Sequence, residues 1–426
     1  MKRIVILGGG FGGVNAYLEL TKLFRSSKKK AEITLVDEKD YFDFLPLIHE
    51  VATGSLASSG VIRPFRQIIK EHDGRFLQGK VLEVNLDKQI VSIDQYPLEI
   101  NEPPKVVSLA YDFLILGLGS ETEYYDIPGA AEYSFTLKTL TDARKIKYLL
   151  VDRFEQAEAA PEEEKKKLLC FVIVGGGPTG VELAGEIADL INDELYRAFP
   201  NLRGISQVQL IQRAKTLVPH EEEWFQKQTL KILKKKMKVK VLLDQRVLEI
   251  TADGVQIKGN FIPCRNVFWT AGVKAKNLKI KSKKPLEYEE KTRRIKVQNT
   301  LNSSSYPNLF MVGDQAWICD KENHQPYPMR AQFAMREGRR AARNIWRMID
   351  NKPLQEFHWQ DKGFLLSLGK GVALARVLGF RLQGPLAWLI YRLAYLINII
   401  GFRAKLTTGM EWLINLFLAR DIWKPK

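Results

Sequence analysis

Arg3-Ile4-Val5-Ile6-Leu7-Gly8-Gly9-Gly10-Phe11-Gly12-Gly13 opens the chain as an apolar strand that stops in a run of glycines. A helical pattern follows from Val14 to Phe24, then a basic turn, then Ile33-Thr34-Leu35-Val36 closed by Asp37. Strand, glycine turn, helix, strand and terminal acid in that order make a βαβ unit with G-x-G-x-x-G at its first turn. Each position has a physical task. Gly8 permits the tight turn, Gly10 lets the backbone approach a pyrophosphate, and Gly13 lets helix and strand pack closely, with Phe11 and Gly12 completing the turn. The helix N-terminus offers free N–H groups and a positive dipole end to phosphates, and Asp37 can accept from ribose hydroxyls. A lone G-x-G-x-x-G is a weak signal, but the complete ordered unit reads as a dinucleotide site rather than a structural turn.

The pattern then repeats. Cys170-Phe171-Val172-Ile173-Val174 is a strand, Gly175-Gly176-Gly177-Pro178-Thr179-Gly180 a second G-x-G-x-x-G, and Val181 to Tyr196 is helical. The next strand, Val208-Gln209-Leu210-Ile211, is closed by Gln212 in place of an acid, with Arg213 and Lys215 behind it. Each unit also has a strand running into glycine, ending at Gly119 in one and Gly272 in the other, as crossovers between nucleotide domains would. Leu309-Phe310-Met311-Val312 ends in Gly313-Asp314, an acid placed to bind a ribitol-type hydroxyl chain. The expected fold class is α/β, with two Rossmann-like dinucleotide-binding domains and two nucleotide cofactors. The stretch Glu155 to Lys167 between them has no apolar face and reads as a solvated linker or an exposed helix end.

The length of 426 residues suits two domains plus an appendage, and 45% hydrophobic with 27% charged residues excludes a disordered or fibrous chain. With 65 Lys and Arg against 49 Asp and Glu, the formal charge of +16 points to an anionic partner. Cys170, Cys264 and Cys319 are far apart and form no CxxC pair, which speaks for a reducing compartment; Cys170 lies inside a strand, and neither Cys264 nor Cys319 has a convincing partner. His49, His72, His220, His324 and His358 lie singly, so no metal site is expected. The start, where an apolar run ends at once in glycines, does not read as a signal peptide.

The C-terminal portion changes character. Leu386 to Phe402 and Leu406 to Ala419 are apolar, yet Arg392 leaves uncharged runs shorter than the roughly 20 residues that span a bilayer. Lys370, Arg376, Arg381, Arg392, Arg403, Lys405, Arg420, Lys424 and Lys426 punctuate the region beside Trp388, Tyr391, Tyr395, Phe402, Trp412 and Trp423. Tryptophans beside arginines suit helices lying in a membrane interface, drawn to anionic lipid.

Taken with Trp269-Thr270-Ala271-Gly272-Val273, Phe44 to Gly54 (FLPLIHEVATG) and Ile399-Ile400-Gly401-Phe402-Arg403, these motifs resemble the type II NADH dehydrogenases over nearly the whole chain. The resemblance implies a glutathione-reductase-like fold with a C-terminal helical membrane-anchoring segment. It implies an FAD enzyme that passes electrons from NADH or NADPH to a membrane quinone without pumping protons. The implied division is 1–145 and 286–350 for FAD, 146–285 for NAD(P)H, and 351–426 for the membrane-associating helices. By motif, Gly8, Gly10, Gly13 and Asp37 would hold the adenosine diphosphate half of FAD, and Gly313 and Asp314 its pyrophosphate and ribitol. Gly175, Gly177 and Gly180 would receive the nicotinamide dinucleotide, and Glu182 would approach the nicotinamide and quinone side of the flavin. The resemblance implies a peripheral protein on the cytoplasmic face of the membrane and leaves a homodimer open.

Two departures stand out. Gln212 followed by Arg213 replaces the acid that binds the 2′-OH of NADH and repels the 2′-phosphate of NADPH, so NADPH acceptance is open. Gln332, in Ala331-Gln332, is the candidate for the quinone head group, but Arg336 stands where a second glutamine is often found. Three other readings compete. A sulfide:quinone reductase needs a redox cysteine pair near the flavin, and a ferredoxin- or disulfide-type reductase needs a CxxC. A non-enzymatic redox sensor would use lysine runs such as Lys234-Lys235-Lys236 on nucleic acid, but these read as a solvated face, and no nucleic acid is expected.

Overall fold

Val5, Ile6 and Leu7 pair in parallel with Thr34, Leu35 and Val36, which fixes the first strand–helix–strand unit. The computed structural model describes the whole chain except residues 28, 71–73, 98–102, 323, 360–362 and 421–426. His72, Trp423, Lys424 and Lys426 therefore lie outside the described residues. The chain divides into two units, Met1–Asp43, Arg63–Glu121 and Val273–Gln360 in one, Phe44–Ile62, Thr122–Gly272 and Asp361–Lys426 in the other.

In the first unit the sheet order is Leu309–Met311, Phe113–Leu116, Lys2–Leu7, Ala31–Asp37, Arg75–Asn85, Ile90–Gln95, Lys105–Ala110. The first five strands run parallel and the last two return antiparallel as a meander. The central strands are apolar on both faces because each face is covered, Val5, Leu7, Val36, Leu114 and Met311 building one core. The helix Phe11–Arg25 starts at Gly10 and ends in Lys22 and Arg25, cations suited to its negative dipole end. It packs on the helix Ala331–Ile349 at a spacing only glycine allows, since a Cβ on Gly338 would collide with the Gly12 carbonyl.

The second unit repeats the plan with the parallel order Phe135–Thr136, Asn266–Trp269, Cys170–Val174, Gln207–Ile211, Lys240–Leu242. Its helix Leu140–Ala159 begins in a capping box, the Thr139 hydroxyl accepting from the Asp142 amide at 3.1 Å and the Asp142 carboxylate from the Thr139 amide at 2.9 Å. The charged stretch 155–167 completes this helix and forms most of the next, Glu162–Leu168. The fingerprint helix Pro178–Leu190 continues into a wide π-type turn at Ile191–Leu195. After a three-stranded sheet over 364–383 come the two tail helices, Pro385–Asn398 and Phe402–Phe417.

The tail corrects one expectation. Arg392, counted among the lipid-seeking cations, is buried, its guanidinium carbon 3.6 Å from the ring centre of Trp388 and 4.8 Å from that of Trp412. Arg420 is buried among acids, and Arg376 and Arg381 pair with Glu222. Trp388 and Trp412 face Arg392 inside the protein, where a cation over an aromatic face gains most once desolvated.

Candidate functional site

Each glycine turn is shaped as a cradle. In the first unit Gly8 takes φ +98°, a left-handed conformation, and its amide donates to Val36 O at 2.8 Å. A Cβ on Gly13 would collide with the Gly8 carbonyl, whereas a Cβ on Gly10 would meet nothing within 4 Å. The turn is thus tight on its protein side and open where a pyrophosphate must come. Asp37 Oδ2 accepts from the Gly9 amide at 2.6 Å and Oδ1 from the Lys39 amide at 2.8 Å, while burial pushes its carboxyl up. Phe11 and Gly12 are buried, Phe11 edge-on to Phe42.

Gly119, Gly313 and Asp314 come together in the same unit. Ser120 Oγ donates to Asp314 at 2.6 Å, and Gln315 Nε2 donates to Gly119 O at 2.8 Å. The Gly313 amide donates to Glu337 at 2.6 Å. Burial first, then Asp314, pushes Glu337 up to about 8, with the Gly313 amide opposing. Ser120, Gln315 and Glu337 are additions that sequence reasoning missed; the one signal was an acid, Glu337, inside a strongly basic helix. Gln332 is exposed on the first turn of that helix. Arg336 lies 4.3 Å from the ring centre of Trp359, which stacks on Phe333 at 3.7 Å.

In the second unit Gly175 takes φ +111° and donates to Ile211 O at 2.8 Å, and a Cβ on Gly177 would again meet open space. Gly180 is closed by the Gly175 carbonyl, and Thr270 Oγ1 donates to Val174 O at 2.9 Å. Gly272 is covered by Tyr125. Gln212 occupies the place of Asp37, its Oε1 accepting from the Gly176 amide at 3.0 Å. Arg213 is exposed beside it.

Glu182 belongs to a larger group. Glu182, Glu186 and Asp189 lie at i, i+4 and i+7, one face of the helix Pro178–Leu190. Glu182 accepts from the Ser367 amide at 3.3 Å and lies 3.8 Å from Nδ1 of His49. Burial raises the Glu182 carboxyl well above the usual range and lowers His49 to about 3. The contact is therefore between a carboxyl held toward its protonated form and a neutral imidazole, not an ion pair. Glu186 accepts from Thr53 and Ser55 at 3.2 and 3.0 Å. Glu50 accepts from Trp412 Nε1 at 2.7 Å; burial first, opposed by Arg392, moves it up to about 7. Arg420 closes the group on Glu186, Asp189 and Glu194. Only Glu182 was singled out from the sequence, though acids at helical spacing among apolar residues were a readable sign.

Cys264 Sγ donates to the Cys170 carbonyl at 2.9 Å, and both cysteines are buried, Cys170 in the strand Cys170–Val174 and Cys264 just before the strand Asn266–Trp269. Cys170 begins the strand whose far end enters the fingerprint, roughly 16 Å away at the usual strand rise.

Residues 2–338 match the family of pyridine nucleotide-disulphide oxidoreductases. The demethylphylloquinone reductase NdbB of Synechocystis is 32% identical, the match covering 96% of this chain and 95% of that protein. The type II NADH:quinone oxidoreductase Ndh of Mycobacterium tuberculosis is 29% identical, over 98% of this chain and 89% of its own. NDH2 of Plasmodium falciparum, solved in complex with NADH, has the same fold, with a TM-score of 0.90 over 99% of this chain and 100% of that one at 21% identity.

Proposed function

From the premise that the chain belongs to the pyridine nucleotide-disulphide oxidoreductase family and, within it, to the type II NADH:quinone oxidoreductases, we propose that it is an FAD enzyme oxidising a reduced nicotinamide dinucleotide and reducing a membrane quinone without pumping protons. The observation that carries the reading is the duplication of an open, glycine-lined cradle, one per unit, in a chain alike over its length to quinone reductases. The chemistry that bound FAD supplies is acceptance of a hydride from the nicotinamide and return of two electrons to the quinone.

The protein's part is holding and proton supply. Gly8, Gly10 and Gly13 would admit the FAD pyrophosphate, Asp37 the adenosine ribose, and Asp314, steadied by Ser120, the ribitol. Gly175, Gly177 and Gly180 would seat the reductant. Burial biases the Glu182 carboxyl toward its protonated form, and the neutral His49 ring does not pin it as an ion pair. A quinol needs two protons, so a buried carboxyl biased toward its protonated form is a group suited to deliver one. Gln332 is free at the surface to donate its amide to a quinone carbonyl.

The tail supports a membrane surface for a different reason than the one read from sequence. Leu386, Leu389, Leu393 and Ile397 on the first helix, and Phe402, Leu406, Met410 and Leu413 on the second, are exposed apolar residues at helical spacing. No helix among the described residues is long and apolar enough to cross a membrane. The helices would lie in the interface of the cytoplasmic leaflet, within reach of a lipid-dissolved acceptor. The buried Cys170–Cys264 pair, at the strand end away from the fingerprint, speaks against a sulfide-type reductase.

The test is steady-state oxidation of NADH and NADPH by detergent-purified protein, with a short-chain quinone as acceptor and released flavin quantified. Quinone-dependent turnover with bound FAD supports the reading, and bound FAD without turnover on either nucleotide overturns it. Glu182→Gln should lower kcat about 10- to 1,000-fold with little change in nucleotide KM.

A further inference from the structure

The two cradles differ at one place in a way that names the reductant. In the first, the closing residue is a carboxylate, Asp37, and the next is Glu38, ion-paired to Lys276 at 2.6 Å. In the second, the closing residue is the amide of Gln212, and both of its ends are used. Oε1 accepts from the Gly176 amide at 3.0 Å, and Nε2 donates to Thr216 O at 3.4 Å. A carboxylate could keep the first bond but would set a lone pair against the Thr216 carbonyl, so the loop is built around a neutral side chain. Behind it, the Asp244 amide donates to Ala214 O at 3.2 Å and the Gln245 amide to Gln212 O at 3.0 Å, fastening a second loop to the first. The charged residues of this double loop are Arg213, Lys215 and Arg246 against the single acid Asp244, and all four are exposed.

We propose that this rim is a 2′-phosphate subsite and that the reductant the chain is built to take is NADPH. The inference rests on the reading that the second fingerprint seats the nicotinamide dinucleotide. A 2′-phosphate dianion is held by charge-assisted bonds from guanidinium and ammonium groups, and an acid at the closing position repels it. Here the acid is gone, the residue replacing it is occupied by its own backbone, and cations follow at once. The 2′,3′-diol of NADH finds no carboxylate acceptor at Gln212, whereas the phosphate finds Arg213 and Lys215.

Two measurements on the FAD-loaded protein test this. The first is the ratio of kcat/KM for NADPH to that for NADH, in wild type, Gln212→Glu and Arg213→Ala. The second is calorimetric binding of 2′,5′-ADP against 5′-AMP, which needs no turnover. The wild-type ratio is expected at one or above, each substitution should lower it about tenfold or more, and 2′,5′-ADP should bind at least about tenfold tighter than 5′-AMP. Arg213→Ala, on the surface, serves if Gln212→Glu misfolds. A wild-type ratio below one, or equal binding of the two probes, overturns the subsite while NADH turnover leaves the enzyme reading standing. Tight 2′,5′-ADP binding with no turnover on either nucleotide does the reverse: the subsite stands and the quinone reductase reading falls.

Discussion

Glu337 is a carboxyl whose protonation state the fold decides. It is buried under the Gly313 turn and moved up to about 8, from an ordinary glutamate value of 4.5. The native state thus binds a proton that the unfolded chain releases between those values, so stability falls as pH rises through that window and is level above it. Glu337→Gln keeps an acceptor for the Gly313 amide without the titration. Denaturation at a series of pH values should show wild type losing stability relative to the variant between about pH 4.5 and 8, by a few kcal/mol in all; parallel curves would mean Glu337 ionises freely in the fold. The fingerprint glycines make a second contrast at this scale. Gly177→Ala places a methyl in open space with φ near −75°, so folding stability should hold while nucleotide affinity falls. Gly180→Ala drives a methyl into the Gly175 carbonyl and should lower stability by about 1–3 kcal/mol. Equal melting temperatures for the two variants would count against this division of roles.

Among the elements, the fingerprint helix Pro178–Leu190 and the end of the tail are held by one side chain. Arg420 contacts Glu186, Asp189 and Glu194, and its own amide donates to Glu194 at 3.0 Å. Removing the cation leaves those acids buried without their partner, which costs more than the pair itself contributes. Arg420→Ala should destabilise the protein by about 3–5 kcal/mol and open the tail to protease, and adding Asp189→Asn should recover part of the loss. Independent, additive effects in the double variant would show that the contact carries no coupling. This element also marks what a sequence can disclose. The two fingerprints and Gly313-Asp314 were legible because their geometry is set within a few residues: a turn, a helix start, a strand end. Arg392 and Arg420 were not, because an arginine in an apolar stretch reads the same whether it faces lipid or stacks between tryptophans, and the acids around Arg420 lie more than 200 positions away. The contact of Cys264 with the Cys170 carbonyl is hidden for the same reason, its partners lying 94 positions apart.

At the scale of the whole molecule, a formal charge of +16 and an exposed leucine stripe would, on the proposed function, be two separate attractions to a membrane surface, and magnitudes can rank them. Leu389, Leu393 and Ile397 are 50%, 51% and 72% exposed, so inserting each into lipid gains roughly 1 kcal/mol, half or more of a full side-chain burial. Cations near an anionic leaflet contribute about 1 kcal/mol each, but this share falls with salt. Several cations of the tail region are not available for it, since Arg376, Arg381, Arg392 and Arg420 are committed to internal partners. The apolar stripe should therefore dominate. Replacing Leu389, Leu393 and Ile397 by serine should weaken co-sedimentation with vesicles of mixed neutral and anionic lipid about 100-fold, because three exposed contacts of that size sum to roughly 3 kcal/mol. Their exposure means the melting temperature should barely move. Raising salt from 0.05 to 0.5 M should weaken wild-type binding by a smaller factor than the triple substitution does. If salt releases the protein and the serines do not, the charge holds it to the membrane and the stripe has another partner.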